Sequence, residues 1–453
     1  MFPADASRWC LLLGLSACAP SLVDGDPDAE SDGKTDADPT GGDGGDGSDG
    51  SDGGDGIDGG DGTDGSGDPS TVYEGDDEVE WAGGSTVDTS VDFFLEDQIQ
   101  VVELELGRSA QDALNRSPTT YVEGVVRWND LELPIGVRLK GSSSLDNFYG
   151  KPSLKFDFDF VIEGMRVGGQ KKLNLHNMRY DPMKISEALN YALWREAGLP
   201  ASRTGFARVS VDGEDYGLYS IVETPDDPLL KQWYDDPDGN LYENRANYCD
   251  FDDGASCFEA EESDEGNHDA LDEIIAAVNA PGGGMDPVRD LLDWDRYTGF
   301  LAMEASLAHW DSYSFDQSNF RWYHEPTTNT WSLIPASMDL GYGYRPWSYS
   351  ECGRHGVDPG TYTMGVISAR CWADEACENA VMDKMLEAAD HLEATDAPAR
   401  LRALADMVRD DVYSDPRKST TNSHFEVHVD CVEAWLAQRP DELRAWVAAR
   451  RAD

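Results

Sequence analysis

The chain is short of positive charge. Its 453 residues include 35 Lys and Arg against 89 Asp and Glu, which gives a formal net charge of −54. Proteins that bind nucleic acid neutralise the phosphates with clustered Lys and Arg. Much of the negative charge lies near the N-terminus, up to residues 74–80, but the remainder is still acidic. We therefore expect no nucleic-acid partner.

Long apolar runs are also missing. A membrane-spanning helix needs about 20 apolar residues, and the run at residues 9–17 is too short. It fits the core of a secretion signal, and the small residues before Cys18 suit a lipoprotein peptidase. We expect a signal peptide at 1–17, lipidation of Cys18, and membrane contact through this anchor only. Ala19, in place of Asp, favours an extracytoplasmic site on a bacterial outer membrane.

Residues 18–84 have almost no apolar side chains and are rich in Asp, Gly, Ser and Thr. A segment that buries so little cannot offset the entropy lost on ordering, so we expect a disordered acidic linker. Calcium-loaded Gly/Asp repeats are the alternative interpretation. Those repeats need a large apolar residue in each turn, and in the Gly/Asp repeats only Ile57 qualifies.

Cysteine pairs at the two-residue spacing typical of zinc sites are absent. Six cysteines remain once Cys10 and Cys18 are set aside: Cys249, Cys257, Cys352, Cys371, Cys377 and Cys431. An even number in an exported chain predicts disulfides. Close spacing favours Cys249–Cys257 and Cys371–Cys377, which leaves Cys352–Cys431. The sequence does not decide among the fifteen pairings that six cysteines allow.

Residues 85–453 are enough for one large domain or for two lobes with a cleft. Alternating apolar and polar residues predict strands, a helix that Asp181 caps, and a hairpin, which together indicate an antiparallel sheet. The predicted strands are 100–106, 121–128, 133–139, 153–160, 172–175, 208–211 and 216–223. Helical spacing then predominates, at 271–279, 294–310, 381–392, 398–412 and 432–451, around a second hairpin at 319–324 and 331–334. We predict an α+β fold with a β-rich N-terminal lobe, about 85–245, and a helical C-terminal lobe, about 246–453.

Polar groups flank the second predicted hairpin. Asp311 precedes it, Asn319 opens its first strand and Asp339 follows its second strand. Because a hairpin keeps its two ends close together, these groups can converge. Carboxylate and amide oxygens suit Mg²⁺, which keeps further positions for water and phosphate. The bland interpretation is that these residues only form turns and caps.

Phosphoryl transfer also needs cations on the phosphates. Lys140 lies beside a Gly-Ser turn, and Lys151 and Lys155 lie close to the next strand. Glu187, on the predicted helix, can orient one of these lysines by an ion pair. The pattern does not choose among the three lysines, and strand lysines usually cover a solvated face.

An ordered set of short motifs resembles the spore coat protein H (CotH) kinase family. The motifs are VRLKGSSS at 137–144, KPSLKF at 151–156, KLNL at 172–175, AGLP at 197–200, DGEDYGLY at 212–219, GNLY at 239–242, WDS at 310–312 and IPASMD at 334–339. Each motif is weak alone, but the ordered set, from about residue 101 to 344, is specific. The resemblance implies an atypical protein-kinase-like fold that transfers the γ-phosphoryl group of ATP to Ser or Thr of surface or coat proteins.

The resemblance also assigns roles to residues. Asp311 is similar by position to the catalytic Asp, and Asn319 and Asp339 to the residues that hold Mg²⁺, with Mn²⁺ or Ca²⁺ as alternatives. The residues expected at the nucleotide are Lys140, Ser142, Ser143, Lys151, Lys155 and Glu187.

One departure from the family pattern leaves the activity open. Ser337 stands where family members often carry Asp. The alternative to an active kinase is therefore a non-catalytic surface, adhesion or structural protein on a kinase-like scaffold. A third interpretation is a polysaccharide binder that uses exposed aromatic rings, namely Trp322, Tyr342, Tyr344 and Trp347.

Overall fold

The computed structural model describes residues 78–80, 86–88, 91–129, 131–245, 248–263, 268–346 and 352–452. The predicted signal peptide, Cys18 and most of the predicted linker lie outside these ranges. Within the linker's expected bounds, however, Glu78–Glu80 (β1) is a strand that pairs with Thr86–Asp88 (β2). No described helix is both long enough and apolar enough to cross a membrane.

Seven strands close into a barrel, in the order β3-β4-β5-β6-β7-β9-β8. They are β3 (Ile99–Glu105), β4 (Val122–Trp128), β5 (Leu131–Lys140), β6 (Ser153–Asp157), β7 (Lys172–His176), β8 (Thr204–Val211) and β9 (Glu214–Glu223). The predicted strands are confirmed, with shifted ends. The expectation of a purely antiparallel sheet is wrong, because β3 and β8 close the barrel as a parallel pair.

Alternating side chains explain why the barrel forms. Along β3, Val102 and Leu104 are buried, whereas Glu103 and Glu105 are exposed. In a strand, successive side chains point to opposite faces, so one face of each strand is apolar. The apolar faces of the seven strands pack together in one hydrophobic core.

Two helices interrupt the barrel strands, α1 (Gly107–Arg116) and α2 (Ser186–Glu196). The prediction that Asp181 is the N-cap residue of this helix is wrong, because α2 begins at Ser186 and Ile185 is at the N-cap position. The Asp181 carboxylate nevertheless accepts hydrogen bonds from the backbone N–H of Ser186 (2.7 Å) and of Met183 (2.8 Å). Asp181 therefore caps the helix from a preceding loop.

A four-stranded sheet follows, in the order β11-β10-β12-β13. Its strands are β10 (Asn240–Asn244), β11 (Phe258–Ser263), β12 (Phe320–Glu325) and β13 (Thr330–Pro335). The predicted hairpin is confirmed as β12 and β13. Strands β10 and β11 were not predicted, and they extend the hairpin on its β12 side.

The rest of the chain is mainly helical. The helices are α3 (Asp227–Trp233), α4 (Asp269–Val278), α5 (Asp286–Arg289), α6 (Trp294–Ser306), α7 (Tyr313–Asp316), α8 (Val366–Ala373), α9 (Glu375–Ala394), α10 (Ala397–Ser414), α11 (Asn422–Leu436) and α12 (Arg439–Arg450). Short 3₁₀ turns occupy Phe251–Asp253, Ala255–Cys257, Met338–Leu340 and Pro359–Thr361. The prediction of a single helix at 432–451 is wrong. Helix α11 ends at Leu436 and α12 begins at Arg439, with Pro440 in the first turn of α12.

Three disulfides join the six described cysteines. They are Cys249–Cys257, Cys352–Cys431 and Cys371–Cys377, the pairing that the spacing favoured. The mixed α+β class is confirmed. The division into two lobes is not confirmed, because Ser70–Asp453 form a single compact unit.

A buried ion pair joins the barrel to the end of α10. Lys151 Nζ donates to Asp415 Oδ2 (2.6 Å) and to the carbonyl oxygen of Leu218 (2.6 Å). The Asp415 carboxylate also accepts from the backbone N–H of Leu218 (3.1 Å) and of Arg417 (2.8 Å). Gly217 allows this approach, because a Cβ there would lie 2.1 Å from the carboxyl carbon of Asp415. We call these five residues the barrel–α10 junction.

Candidate functional site

A cleft of about 1160 Å³ is lined by residues of the barrel, of α2, of the four-stranded sheet and of the loops beside them. It brings together residues that are far apart in sequence. Of the predicted nucleotide, metal and catalytic residues, the cleft is lined by Lys140, Ser142, Ser143, Lys155, Glu187, Asp311, Asn319 and Asp339.

Lys151 is the exception. It does not line the cleft, and its side chain is only 5% exposed. Its ammonium group is already satisfied by Asp415 and Leu218 in the barrel–α10 junction. A buried ammonium that has a carboxylate partner is part of the fold's own charge pairing. In this structure Lys151 therefore lies apart from the other residues that were expected at the nucleotide.

The acidic side of the cleft is built around the β12–β13 hairpin. The Ser318 hydroxyl donates to Asp311 Oδ1 (2.8 Å), and Asn319 Nδ2 donates to the backbone carbonyl of Asp311 (2.9 Å). This second hydrogen bond uses the amide nitrogen of Asn319. The amide oxygen, Oδ1, is therefore left to accept a hydrogen bond or to coordinate a metal ion.

Left-handed backbone conformations occur on both sides of the hairpin. The φ angles are 46° at Gln317, 50° at Asn319 and 47° at Ser337. Such conformations are sterically costly for residues other than glycine and concentrate at functional sites. Here they redirect the chain where the hairpin strands meet the cleft, next to Asp311 and Asp339.

Asp339 lies in a field of negative charge. Burial raises its pKa well above the usual value, and the charges of Glu187, Asp181 and Asp311 raise it further. Among the residues that the structure describes, no Lys, Arg or His forms an ion pair with this carboxylate. A buried carboxylate that has no ion-pair partner, with further carboxylates nearby and an available amide oxygen beside it, is a donor set that fits a hard divalent cation. Asp339 and Asn319 are the residues that would hold it.

The cationic side of the cleft contains a chain of three side chains. Lys140 Nζ lies 2.8 Å from His176 Nε2, and His176 Nδ1 lies 2.9 Å from Glu187 Oε2. The sequence analysis expected a direct ion pair between Glu187 and a lysine. In the structure, the imidazole of His176 lies between Glu187 and Lys140. Burial and the charge of Arg321 lower the pKa of Lys140. His176 was missed because nothing local distinguishes it from other strand residues.

Lys155 is the second lysine that lines the cleft. Its ammonium makes no hydrogen bond or ion pair within the described part of the chain. Burial lowers the pKa of Lys155 to about 8, although the nearby Glu261 opposes this shift. An amine that is desolvated in this way gains from an anionic partner.

Arg321, Glu243 and Glu261 also line the cleft, and none of them was predicted. Arg321 bonds to the Glu261 carboxylate and lies 3.5 Å from Glu243. Burial and the neighbouring Glu261 raise the pKa of Glu243. Arg321 is two residues after Asn319, so the two-residue period of a strand could have predicted that both side chains lie on the same face, towards the cleft. The pairing of Glu243 opposite Arg321 required the register of β10, which was not predicted.

The aromatic residues of the polysaccharide interpretation are mostly inside the protein. Trp322 and Tyr342 are fully buried and Tyr344 is partly buried, while Trp347 lies outside the described residues. Buried rings cannot stack on a sugar, so Trp322 and Tyr342 do not support this interpretation.

Sequence comparisons found two curated relatives, both from the fungus Rhizopus delemar. Invasin CotH3 is 23% identical over 209 residues, which cover 42% of this chain and 35% of the relative. Invasin CotH2 is 23% identical over 196 residues, which cover 39% and 33%. The match thus spans about a third of the length of each curated relative.

Two solved structures have limited similarity to this chain. The Helicobacter pylori proinflammatory kinase CtkA is 11% identical with a TM-score of 0.29, covering 66% of this chain and 93% of its own. The Shewanella oneidensis complex of HipA, HipB and operator DNA is 11% identical with a TM-score of 0.33, covering 69% and 68%. At these TM-scores, neither structure supports an inference about this chain.

The family comparison is more extensive. The model described as CotH kinase protein matches residues 137–451. This range contains every cleft residue named above, the four-stranded sheet and helices α2 to α12. The match covers well over half of the chain, and the chain therefore belongs to the CotH kinase protein family.

Proposed function

We propose that this protein is a kinase that transfers the γ-phosphoryl group of ATP to Ser or Thr hydroxyls of surface or coat proteins. One observation carries the proposal: the carboxylates of Asp311 and Asp339 line the same cleft as the cations of Lys140 and Lys155. Phosphoryl transfer requires this combination of charges, with one set on the phosphates and the other on the acceptor and the metal.

Each side chain has a defined task. Lys140 and Lys155 neutralise the phosphate oxygens of ATP, while Asn319 and Asp339 would hold Mg²⁺, with Mn²⁺ or Ca²⁺ as alternatives. When bound, this ion neutralises charge that develops on the phosphates. Asp311 orients the acceptor hydroxyl and accepts its proton. The hydroxyl oxygen forms a bond to the γ-phosphorus, the bond from phosphorus to the bridging oxygen breaks, and ADP leaves.

The proposal includes export and lipid anchoring through Cys18, with the acidic linker between the anchor and the folded part. The composition of the N-terminal segment supports this location. The three disulfides support it as well, since structural disulfides persist mainly in oxidising compartments. The substrates would then be proteins of the same surface layer.

Purified protein incubated with labelled ATP and Mg²⁺ tests the activity. We expect label transfer to protein, and we expect Asp339→Asn and Asp311→Asn to reduce it by about 10²–10⁴-fold. Asp441→Asn is the matched control, because Asp441 is an exposed acid on α12. Equal label transfer by the cleft variants and the wild type would overturn the proposal.

The second candidate function is a non-catalytic surface or adhesion module. Ser337 motivates it, because this cleft residue contributes a hydroxyl where family members often carry a carboxylate. Calorimetric titration with ATP separates the two functions. Absence of ATP binding with Mg²⁺, Mn²⁺ and Ca²⁺ alike would favour the non-catalytic module.

A further inference from the structure

We propose that His176 is a positioning residue that holds Lys140 in place to contact the phosphates of the nucleotide. This inference rests on the proposed kinase function and adds a component to its site. His176 belongs to the end of β7, Lys140 to the end of β5 and Glu187 to α2. Three separate elements thus converge on one hydrogen-bonded chain, which we call the Lys-His-Glu relay.

The geometry of the relay is that of direct hydrogen bonds. Lys140 Nζ lies 2.8 Å from Nε2 of His176. On the other side of the ring, Nδ1 lies 2.9 Å and 3.0 Å from the two carboxylate oxygens of Glu187. Glu187 is only 2% exposed and lies in the first turn of a buried helix, so it is a fixed anchor.

The chemistry of the glutamate determines where the imidazole proton lies. The Glu187 carboxylate only accepts, so Nδ1 of His176 must carry a proton and donate to it. In a neutral ring Nε2 is then bare and accepts from Lys140. Burial favours this neutral ring, because it lowers the pKa of His176. The relay therefore selects one tautomer, with Nδ1 protonated and Nε2 bare.

This arrangement leaves donors on the lysine for a ligand. One of the three N–H bonds of Lys140 is used on His176, and the side chain lines the cleft. Lys155 lines the same cleft without any described hydrogen bond that would orient its ammonium. Lys140 is therefore the oriented phosphate contact, and Lys155 contributes charge without a fixed direction. A misplaced catalytic contact can cost about 100-fold in rate.

Two substitutions at His176 separate positioning from mere packing. His176→Ala removes both hydrogen bonds, and we expect kcat/KM for ATP to fall by about 10- to 100-fold. His176→Gln retains an acceptor for Lys140 and a donor for Glu187, and we expect it to recover most of that loss. His424→Gln is the control, because His424 bonds to Thr420 and His428 at α11 and does not line the cleft. Wild-type kcat/KM in His176→Ala, or equal losses in the Ala and Gln variants, would contradict the positioning role.

A second measurement does not depend on activity. Nitrogen-15 NMR of the histidine rings in the full-length protein should show His176 as the neutral tautomer with a proton on Nδ1. Lys140→Met should shift the Nε2 resonance, since Nε2 loses its donor. A proton on Nε2, or a resonance that is unchanged in Lys140→Met, would overturn the relay even if the protein transfers no phosphate. Conversely, an intact relay in a protein without label transfer would refute the kinase function alone.

Discussion

The barrel–α10 junction and the cleft handle charge in opposite ways. In the junction, Lys151 and Asp415 are each 5% exposed and lie 2.6 Å apart, so the protein itself neutralises both charges. In the cleft, Asp339 has no ion pair with any described cation, and Lys155 has none with any described acid. The junction is complete without a ligand, whereas the cleft carries separated charges that an anion and a cation together would neutralise.

This difference shows how chemically identical side chains acquire different roles. Lys151 and Lys155 are four residues apart in one motif, 151–156. The position of Lys151 just before β6 brings it against Asp415, whereas Lys155 within β6 lies on the wall of the cleft. The partner that the fold places beside each lysine decides between a structural ion pair and a ligand contact.

The largest expected effect comes from breaking the junction. Lys151→Met leaves the Asp415 carboxylate buried without its cation, which should lower the free energy of unfolding by about 3–5 kcal/mol. Urea denaturation measures this loss. The control is Lys155→Met, which should change stability by less than about 1 kcal/mol, because Lys155 has no described ion pair to lose. Equal losses in the two variants would contradict the distinction between junction and cleft.

A buried carboxyl group can also avoid the cost of its charge by keeping its proton, and Glu304 is an example that can be tested. Glu304 is buried on α6 and accepts from the backbone N–H of Ser314, near Asp311, and burial raises its pKa to about 8. The pKa of Glu304 is higher in the folded state than in the unfolded state, so its contribution to the free energy of unfolding is fully present at low pH, below the unfolded pKa. It should fall as pH rises from about 5 to about 8, by on the order of 2–4 kcal/mol.

Glu304→Gln isolates this contribution because the amide remains neutral at every pH. Thermal unfolding at several pH values should show the wild type losing stability relative to Glu304→Gln as pH rises. A constant difference between the two proteins across this range would mean that Glu304 does not hold its proton.

Gly213 and Gly217 have nearly the same φ angle, so they separate the cost of a left-handed backbone from the cost of a steric clash. Gly217 has φ 80° and Gly213 has φ 81°, but only at Gly217 would a Cβ collide with Asp415. Gly213→Ala should cost about 1 kcal/mol for the left-handed backbone alone. Gly217→Ala should cost about 2–3 kcal/mol, because it also forces the junction apart. Chemical denaturation of both variants tests whether contact with Asp415 matters.

The smallest expected effect concerns the cleft. Ser337→Asp adds a carboxylate near Asp339, in a left-handed conformation that Asp tolerates better than most residues. We expect Mg²⁺ to bind about tenfold more tightly, which is about 1.4 kcal/mol. Calorimetric titration provides the measurement. Ser423→Asp is the control, because Ser423 is exposed on α11 and does not line the cleft, and equal tightening in that variant would indicate a general charge effect.

Local patterns predicted a large part of the fold. Alternation along β3 and along the β8–β9 hairpin identified strands, because burial on one face follows from the two-residue period itself. Short spacing favoured the disulfides Cys249–Cys257 and Cys371–Cys377, because residues that are close in the chain are close in space. The break between α11 and α12 was missed, although Pro440 was a local signal for it.

The candidate site was predicted in its residue types but not in its connections. Converging flanks of a hairpin explain why Asp311, Asn319 and Asp339 could be grouped from sequence. His176 could not be found in this way, since its partners lie on β5 and α2. Its role depends on the pairing of β6 with both β5 and β7.

The sequence by itself determined the barrel strands, the second hairpin with Asp311, Asn319 and Asp339 grouped around it, and the family motifs, because each of these depends on residues that are neighbours in the chain. Only the tertiary structure decided that the strands close through the parallel pair β3–β8, that Lys151 belongs to the junction, and that an imidazole separates Lys140 from Glu187. These outcomes depend on contacts between distant segments. Such contacts are set by packing and burial in the whole fold, and not by local propensity.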